Sequence, residues 1–142
     1  DVYKRQTPED TNVIFHIGSC LAELGQYEEA ANYFFKLDFI ESNCIKAWRG
    51  IGWCSFISRK YEQAMKYYEK IIEQKPLAID YMNAGHVAWT MGDIQKAAAL
   101  YGKSITANGN RERFLEMFRK DKEALLKQGI QEEDIPLMLD LL

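Results

Sequence analysis

Two histidines and three cysteines are the side chains of this 142-residue chain best suited to bind a metal. His16 and Cys20 lie four residues apart, so a helix would place both on one face, where each could act as a metal ligand. No second pair of residues follows at a ligand spacing, and a structural role is favoured for both. His86 has no partner nearby in the sequence. The sequence therefore predicts no metal site and no cofactor.

Other arrangements that carry chemistry are also missing from the sequence. Gly50 and Gly52 form half of a dinucleotide-binding glycine motif, but no third glycine follows, and both lie inside a predicted helix. The carboxylates are scattered over predicted solvated faces, where no perturbed pKa is expected. We therefore predict no catalytic residues and no enzyme activity. One alternative is that the chain is an appendage of a larger protein that has a separate catalytic domain.

The cysteines and the N-terminal residue give information about the cellular compartment of the protein. Cys20, Cys44 and Cys54 are odd in number and lack disulfide or zinc spacing, which indicates a reducing, cytoplasmic environment. Cys20 and Cys54 lie 34 residues apart, as small buried packing residues of a repeat would. No apolar run approaches the roughly 20 residues that span a bilayer, and no signal peptide is recognisable. Because the chain begins at Asp1 rather than Met, we interpret it as a fragment that could have lost a targeting segment.

The charge of the chain disfavours two classes of partner. A net charge of -3 gives no general basic field, so nucleic acid and anionic membranes are not expected to bind. Basic residues between Arg111 and Lys122 alternate with acidic ones, which is typical of a solvated helix face. A protein or peptide is therefore the expected partner.

The middle of the chain carries a packing pattern that occurs three times. Trp48, Gly52, Ala64 and Tyr68 follow one another as a bulky residue, a small residue, an alanine and an aromatic residue in a unit of about 34 residues. Small residues let helices approach each other closely. Shifts of 34 residues backward and 33 forward find the same small residues, which are Gly18, Gly52 and Gly85 with Ala30, Ala64 and Ala97. The pattern predicts three helix pairs.

On these residues the chain resembles the tetratricopeptide repeat family between Thr7 and Asn108. The resemblance implies an all-α fold, a right-handed α-α superhelix, or solenoid, of antiparallel helix pairs. Residues 1–6 are expected to be a disordered or non-native N-terminus. Residues 7–108 are expected to hold three repeats (about 8–41, 42–76 and 77–108), and 109–142 a C-terminal capping helix and a short apolar tail helix. The chain departs from the family where Ile14 and Tyr81 replace the leading tryptophan.

Helix signals in the sequence refine these boundaries. Thr7 and Pro8 suit an N-cap and a first helical position, with Glu9 and Asp10 in the first turn. The predicted helices are 8–24, 27–39, 44–58, 61–74, 77–91, 94–107 and 111–128, followed by a short helix that Asp134 caps, with Pro136 in its first turn. Ser42, Asn43 and Asp93 are cap candidates. Gly25 and Gly92 suit left-handed turns, whereas Arg59 and Lys60 must form the equivalent turn without glycine.

The resemblance also implies a concave groove lined by the first helix of each pair. The positions that face it are Asn12, Phe15, Ser19 and Ala22, then Lys46, Arg49, Trp53 and Phe56, then Ile79, Met82, His86 and Trp89. We predict that the partner-binding residues are Phe15, Ser19, Arg49, Trp53, Phe56, Met82, His86 and Trp89. This groove has an aromatic floor and a little positive charge at one edge, which suits an apolar, extended or helical peptide. The carboxylate clamp of chaperone-binding members is not expected, because Phe15 and Ser19 occupy two of its positions.

Several alternatives stay open at this point. The aromatic residues could be covered by the chain's own tail, by N-terminal repeats missing from the fragment, or by a second copy in a homodimer, in which case the chain is a structural part of a larger protein. The spacing and the segment Gly52-Trp53-Cys54 also resemble secretion chaperones of the type III class. The apolar tail, with Leu137, Met138, Leu139, Leu141 and Leu142, is expected to pack on the capping helix or to reach a partner.

Overall fold

The computed structural model describes residues 10–142, and all regular structure in this range is α-helical. The expectations for residues 1–6 and for Thr7 and Pro8 lie outside the described residues. The helices are α1 (Thr11–Glu23), α2 (Tyr27–Ile40), α3 (Ile45–Ile57), α4 (Tyr61–Ile72), α5 (Ala78–Thr90), α6 (Ile94–Asn108), α7 (Arg111–Lys120), α8 (Lys122–Lys127) and α9 (Asp134–Asp140). Helices α1 to α6 pack as three hairpins, and α2 packs on α3 as α4 packs on α5. The predicted all-α class is confirmed.

Helix starts follow the predicted caps only in part. Asp10 is the N-cap of α1, where its side chain accepts hydrogen bonds from the N–H groups of Asn12 and Val13. Its predicted place inside the first turn is therefore wrong. Cys44, rather than Ser42 or Asn43, precedes α3 as the N-cap. The Asp93 cap of α6 is confirmed, because its carboxylate accepts a hydrogen bond from the Lys96 N–H at 3.1 Å.

The turns inside the three hairpins share one backbone shape. Gly25 and Gly92 have φ values of 82° and 87°, and Arg59 at the equivalent place has a φ of 65°. Glycine adopts this left-handed conformation without steric cost, whereas an arginine side chain adds about 1 kcal/mol or more of strain. The repeat geometry therefore imposes the conformation of Arg59, and the predicted glycine-free turn is confirmed.

Each repeat glycine lies against an aromatic ring of the second helix. A Cβ atom added to Gly18, Gly52 or Gly85 would come within 2.9, 2.8 or 2.6 Å of the ring of Phe34, Tyr68 or Tyr101, respectively. The three repeat alanines, Ala30, Ala64 and Ala97, are fully buried. The pattern recognised in the sequence is thus a contact between backbone and ring that occurs three times and holds each hairpin closed.

The C-terminal part departs from the predicted single helix over 111–128. The helix breaks at Asp121, whose N–H donates to the Phe118 carbonyl at 3.0 Å, and α8 follows as a separate short helix. After Gly129, with a φ of 103°, the chain turns into α9. Asp134 is the first residue of α9 rather than its cap, and Pro136 lies in the first turn as predicted.

The apolar tail is buried on one side only. Ile135 and Met138 belong to the main hydrophobic core, whereas Leu137 and Leu141 are 64% and 62% exposed. Cys20 is also exposed, so the prediction that it packs inside the fold like Cys54 is wrong. None of the helices in residues 10–142 has the length and apolar character needed to cross a membrane.

Candidate functional site

The eight predicted groove residues fall into two groups of different burial. Phe56, Met82, His86 and Trp89 are between 0% and 7% exposed. Phe15, Ser19, Arg49 and Trp53 are half-buried. The first group comes from the end of α3 and from α5, and the second comes from α1 and the middle of α3. One half of the predicted groove is therefore closed, and the other half is open to solvent.

Helix α7 closes the first half through its aromatic side chains. The ring of Phe118 lies 5.6 Å from that of His86 and 6.5 Å from that of Trp89, measured between centroids. On its other side, His86 stacks on Phe56 at 6.4 Å. These aromatic residues pack on one another and on the chain's own C-terminal helix. For this half of the groove, the structure corresponds to the covered arrangement that the sequence left open as an alternative.

His86 is the polar centre of the closed half. Its Nδ1 lies 2.6 Å from the hydroxyl of Tyr101, and its Nε2 lies 2.9 Å from a carboxylate oxygen of Asp121. Burial, with a smaller contribution from Asp121, raises the pKa of Tyr101 well above its usual value. The prediction that His86 lacks a partner is wrong, because Asp121 comes from a distant part of the chain. Because Asp121 lies at the break between α7 and α8, its contact with His86 holds this break against α5.

The C-terminal end of α8 and the residue after it reach back to the turn between α3 and α4. Gln128 donates to the Ile57 carbonyl at 3.2 Å and accepts a hydrogen bond from the hydroxyl of Tyr61. Arg59 donates to the carbonyl of Lys127 at 3.1 Å. These bonds join the C-terminal segment to repeat two and not only to repeat three.

The open half forms a pocket of about 420 Å³ between α1 and α3. Phe15 packs on Phe34 with their centroids 5.9 Å apart, and Lys46 Nζ lies 4.8 Å from the centre of the Phe15 ring. Trp53 lies on the other side, against Phe56 at 5.5 Å. The pocket is lined by Phe15, Ser19, Ala22, Phe34, Lys46, Arg49, Gly50, Trp53 and Cys54. The structure thus brings together the four half-buried residues of the predicted site.

Arg49 contributes less free charge to this pocket than the sequence suggested. Its Nε and Nη2 atoms donate to the two carboxylate oxygens of Asp80 at 2.7 and 2.8 Å. The Asp80 side chain is fully buried and also accepts the Leu77 N–H at 2.8 Å. The hydrogen bonds to Asp80 raise the pKa of Arg49. Lys46 has no carboxylate at ion-pair distance within residues 10–142, so it supplies the positive charge at this edge.

The residues that support the site were missed because they are distant in sequence. Asp80 and Asp121 lie 31 and 35 residues after their partners Arg49 and His86. The one local signal was an acidic side chain, Asp80, near the start of an otherwise apolar helix. His16 and Cys20 are both exposed on α1, and residues 10–142 contain no cluster of three potential metal-ligating side chains.

Comparison with known proteins decides the family. Residues 11–37, 45–76 and 81–111 match the model of the tetratricopeptide repeat, which together is more than half of the chain. The chain belongs to the tetratricopeptide repeat family. Its helix pairs form the right-handed solenoid of that family, as the resemblance implied.

Individual relatives are distant in sequence. The tetratricopeptide repeat-containing protein trd-1 of Caenorhabditis elegans is 21% identical over 102 residues, which cover 71% of this chain and 12% of that protein. The chain thus spans about an eighth of the length of this curated relative.

Three solved structures are similar in fold. YrrB, described as a tetratricopeptide repeat protein with an unusual peptide-binding site, has a TM-score of 0.67 at 16% identity, covering 89% of this chain and 73% of its own. SycD, a type III secretion translocator chaperone of Yersinia enterocolitica, has a TM-score of 0.70 at 18% identity, and the match covers 84% of this chain and 95% of the SycD chain. MamA of Desulfovibrio magneticus RS-1 has a TM-score of 0.70 at 19% identity, and the match covers 98% of this chain and 79% of the MamA chain. At these identities the likeness concerns the fold alone.

Proposed function

We propose that this chain is a protein-interaction module that binds an apolar peptide segment in the pocket between α1 and α3. The observation that carries the proposal is that Phe15 and Trp53 are only half-buried and line an open pocket, while Phe56 and Trp89 are covered by the chain itself. Burying one such aromatic side chain contributes roughly 1.5–3 kcal/mol, so a ligand that covers both gains substantial binding energy. YrrB, a protein of the same family, is described as having a peptide-binding site, which is consistent with this use of the fold.

The pocket suits a ligand with a bulky apolar side chain. Such a side chain would pack on Phe15 and Trp53, and the Arg49 guanidinium is held at the wall by Asp80. Because Arg49 is already paired, a ligand need not neutralise it. We therefore propose that apolar contact, rather than a carboxylate clamp, supplies most of the affinity.

Tryptophan fluorescence provides a direct test. Trp48 and Trp89 are 2% and 7% exposed, so iodide should quench Trp53 preferentially. A decapeptide of alternating leucine and serine is the probe, and the same peptide with asparagine in place of leucine is its control. We expect the leucine peptide to protect Trp53 from iodide and the asparagine peptide to leave quenching unchanged.

Variants then test which residues bind the peptide. Phe15→Ala is expected to weaken binding of the leucine peptide about tenfold, which corresponds to about 1.4 kcal/mol, and Trp53→Ala likewise when binding is followed by calorimetry. Leu137→Ala is the matched control, because Leu137 is exposed on α9 and lies outside the pocket. If both pocket variants remain folded and bind as tightly as the parent, the proposal is wrong.

The other expectations about function stay predictions. They are the absence of enzyme activity, a cytoplasmic location, the absence of nucleic-acid and membrane binding, a homodimer as an alternative state, and a role of the secretion-chaperone type. Sedimentation velocity across a concentration range would distinguish the monomer from the homodimer.

A further inference from the structure

An apolar face of α1 has no helix packed on it within residues 10–142. Val13 and Ile17 are 50% and 38% exposed, and Cys20, one turn further along, is exposed as well. Spacings of four and three residues place the three side chains on one face of the helix. We call these three residues the α1 stripe.

The internal repeats show what covers this face elsewhere in the molecule. In α3 the equivalent residues are Ala47, Ile51 and Cys54, and in α5 they are Asp80, Ala84 and Val87. All six are no more than 1% exposed. The helices that cover them are α2, which packs on α3, and α4, which packs on α5. The same face is thus an inter-repeat interface in two repeats and is open in the first.

The covering helices share a pattern that defines what the α1 stripe would accept. Each carries an aromatic residue and, three positions later, a buried aliphatic residue: Phe34 and Leu37 in α2, and Tyr68 and Ile71 in α4. Leu37 belongs to the small core cluster that includes Ala47. A partner for the α1 stripe therefore needs an amphipathic helix with this aromatic and aliphatic pair.

One position distinguishes α4 from α2 as the better template. Phe34 of α2 lies so close to Gly50 that a Cβ there would be 2.6 Å from the ring. In α1 the equivalent residue is His16, which has a side chain, and in α5 it is Asn83. Because α4 packs on a helix that has a side chain at this place, the geometry of α4 on α5 can be transferred to α1.

We propose that the α1 stripe binds an amphipathic helix of a partner polypeptide, placed on α1 as α4 is placed on α5. This binding surface is separate from the pocket between α1 and α3, and it does not depend on the function proposed for that pocket. The occupant continues the interface that already joins the three repeats.

Cys20 provides a reporter within the α1 stripe. It is an exposed thiol, whereas Cys44 and Cys54 are buried, and burial raises the pKa of Cys54 to about 11. In the unmodified chain, Cys20 is expected to react with a thiol reagent much faster than the other two cysteines, at a rate independent of chain concentration. Mass spectrometry of the labelled peptides separates the three rates.

The probe is an additional copy of residues 60–76, which contain α4, fused upstream of Asp1 through a flexible glycine-serine linker. A short flexible linker gives an effective concentration in the millimolar range, which compensates for the weak affinity of a single helix. We expect the fusion to slow the labelling of Cys20 at least tenfold. The matched control carries Tyr68→Asp and Ile71→Asp in the added copy, and it should label Cys20 as fast as the unmodified chain does.

A substitution in the α1 stripe completes the test. Ile17→Asp should remove the protection of Cys20 in the fusion. Ile17 is 38% exposed, and a thermal melt of the unmodified chain with the same substitution checks that it remains folded. Equal Cys20 rates in the fusion and in its control would overturn the proposal. Protection that grows with chain concentration in the unmodified protein would identify a second copy as the occupant and would overturn it as well. Slow labelling of Cys20 at every concentration would instead identify residues 1–9 as the cover, with the same consequence.

Discussion

The ion pair between Arg49 and Asp80 leads to a sharp prediction about stability. Asp80 is fully buried and accepts three hydrogen bonds, two from Arg49 and one from the Leu77 N–H. Replacing Arg49 with methionine keeps most of the packing volume but removes two of these bonds and the compensating charge. A buried carboxylate without its partner costs about 3–5 kcal/mol.

The expected size of the effect lies at the lower end of that range. The Arg49 side chain is 33% exposed, so water can reach the space that it leaves and solvate Asp80 in part. We expect Arg49→Met to lower the free energy of unfolding by about 3 kcal/mol. For a chain of this length, this loss corresponds to a decrease in Tm of about 10 °C.

Thermal unfolding followed by circular dichroism at pH 7 measures this change. Lys46→Met is the matched control, since it removes a neighbouring cation that has no carboxylate partner within residues 10–142, and its effect should stay below about 0.5 kcal/mol. Arg49→Met combined with Asp80→Leu should recover most of the lost stability, because the buried charge is then absent. If Arg49→Met melts as the parent does, the pair does not stabilise the contact between α3 and α5.

Three further predictions follow from the repeat geometry. Gly85→Ala should destabilise the protein by about 1–3 kcal/mol, because the added Cβ would lie 2.6 Å from the Tyr101 ring. Gly102→Ala should instead stabilise it by about 0.5–1 kcal/mol, because no atom lies within 4 Å of the added Cβ. Urea unfolding measures both changes, and equal effects would contradict the reasoning. Burial raises the pKa values of Tyr68 and Tyr101, so the stability that the two side chains contribute is complete below the pKa of about 10 of unfolded tyrosine and is lost as the pH rises above it. Urea titrations at pH 8–11 should show this decline in the free energy of unfolding, and Tyr68→Phe and Tyr101→Phe should each make the decline smaller. Arg59→Gly should raise Tm, because glycine adopts the left-handed φ of 65° without strain, although one exposed hydrogen bond to the Lys127 carbonyl is lost. An unchanged or lower Tm would show that the contacts of the Arg59 side chain stabilise the protein by more than the strain costs.

Local sequence was a sound guide wherever the repeat itself set the structure. The positions of Gly18, Gly52 and Gly85 predicted three close helix pairs, and each glycine lies under an aromatic ring. The register also predicted the glycine-free turn at Arg59, because Gly25 and Gly92 mark the same place in the other hairpins. These features depend on residues within one repeat, so their spacing carries the information.

Contacts between distant segments could not be predicted in this way. The periodicity of residues 111–128 is that of one helix, and nothing local marks a break at Asp121. That residue bonds to His86, 35 positions earlier. The same holds for the coverage of His86 and Trp89 by Phe118, which closed half of the predicted groove.

The sequence by itself determined that this protein is a stack of three helix hairpins, because glycine, alanine and aromatic residues recur at the spacing that such hairpins need. Only the tertiary structure decided which groove residues stay accessible: Phe15 and Trp53 are half-buried at an open pocket, while Phe56 and His86 are fully buried. The physical reason is that helix periodicity records which side of a helix is apolar. It does not record whether that side meets the chain's own C-terminal helices or solvent.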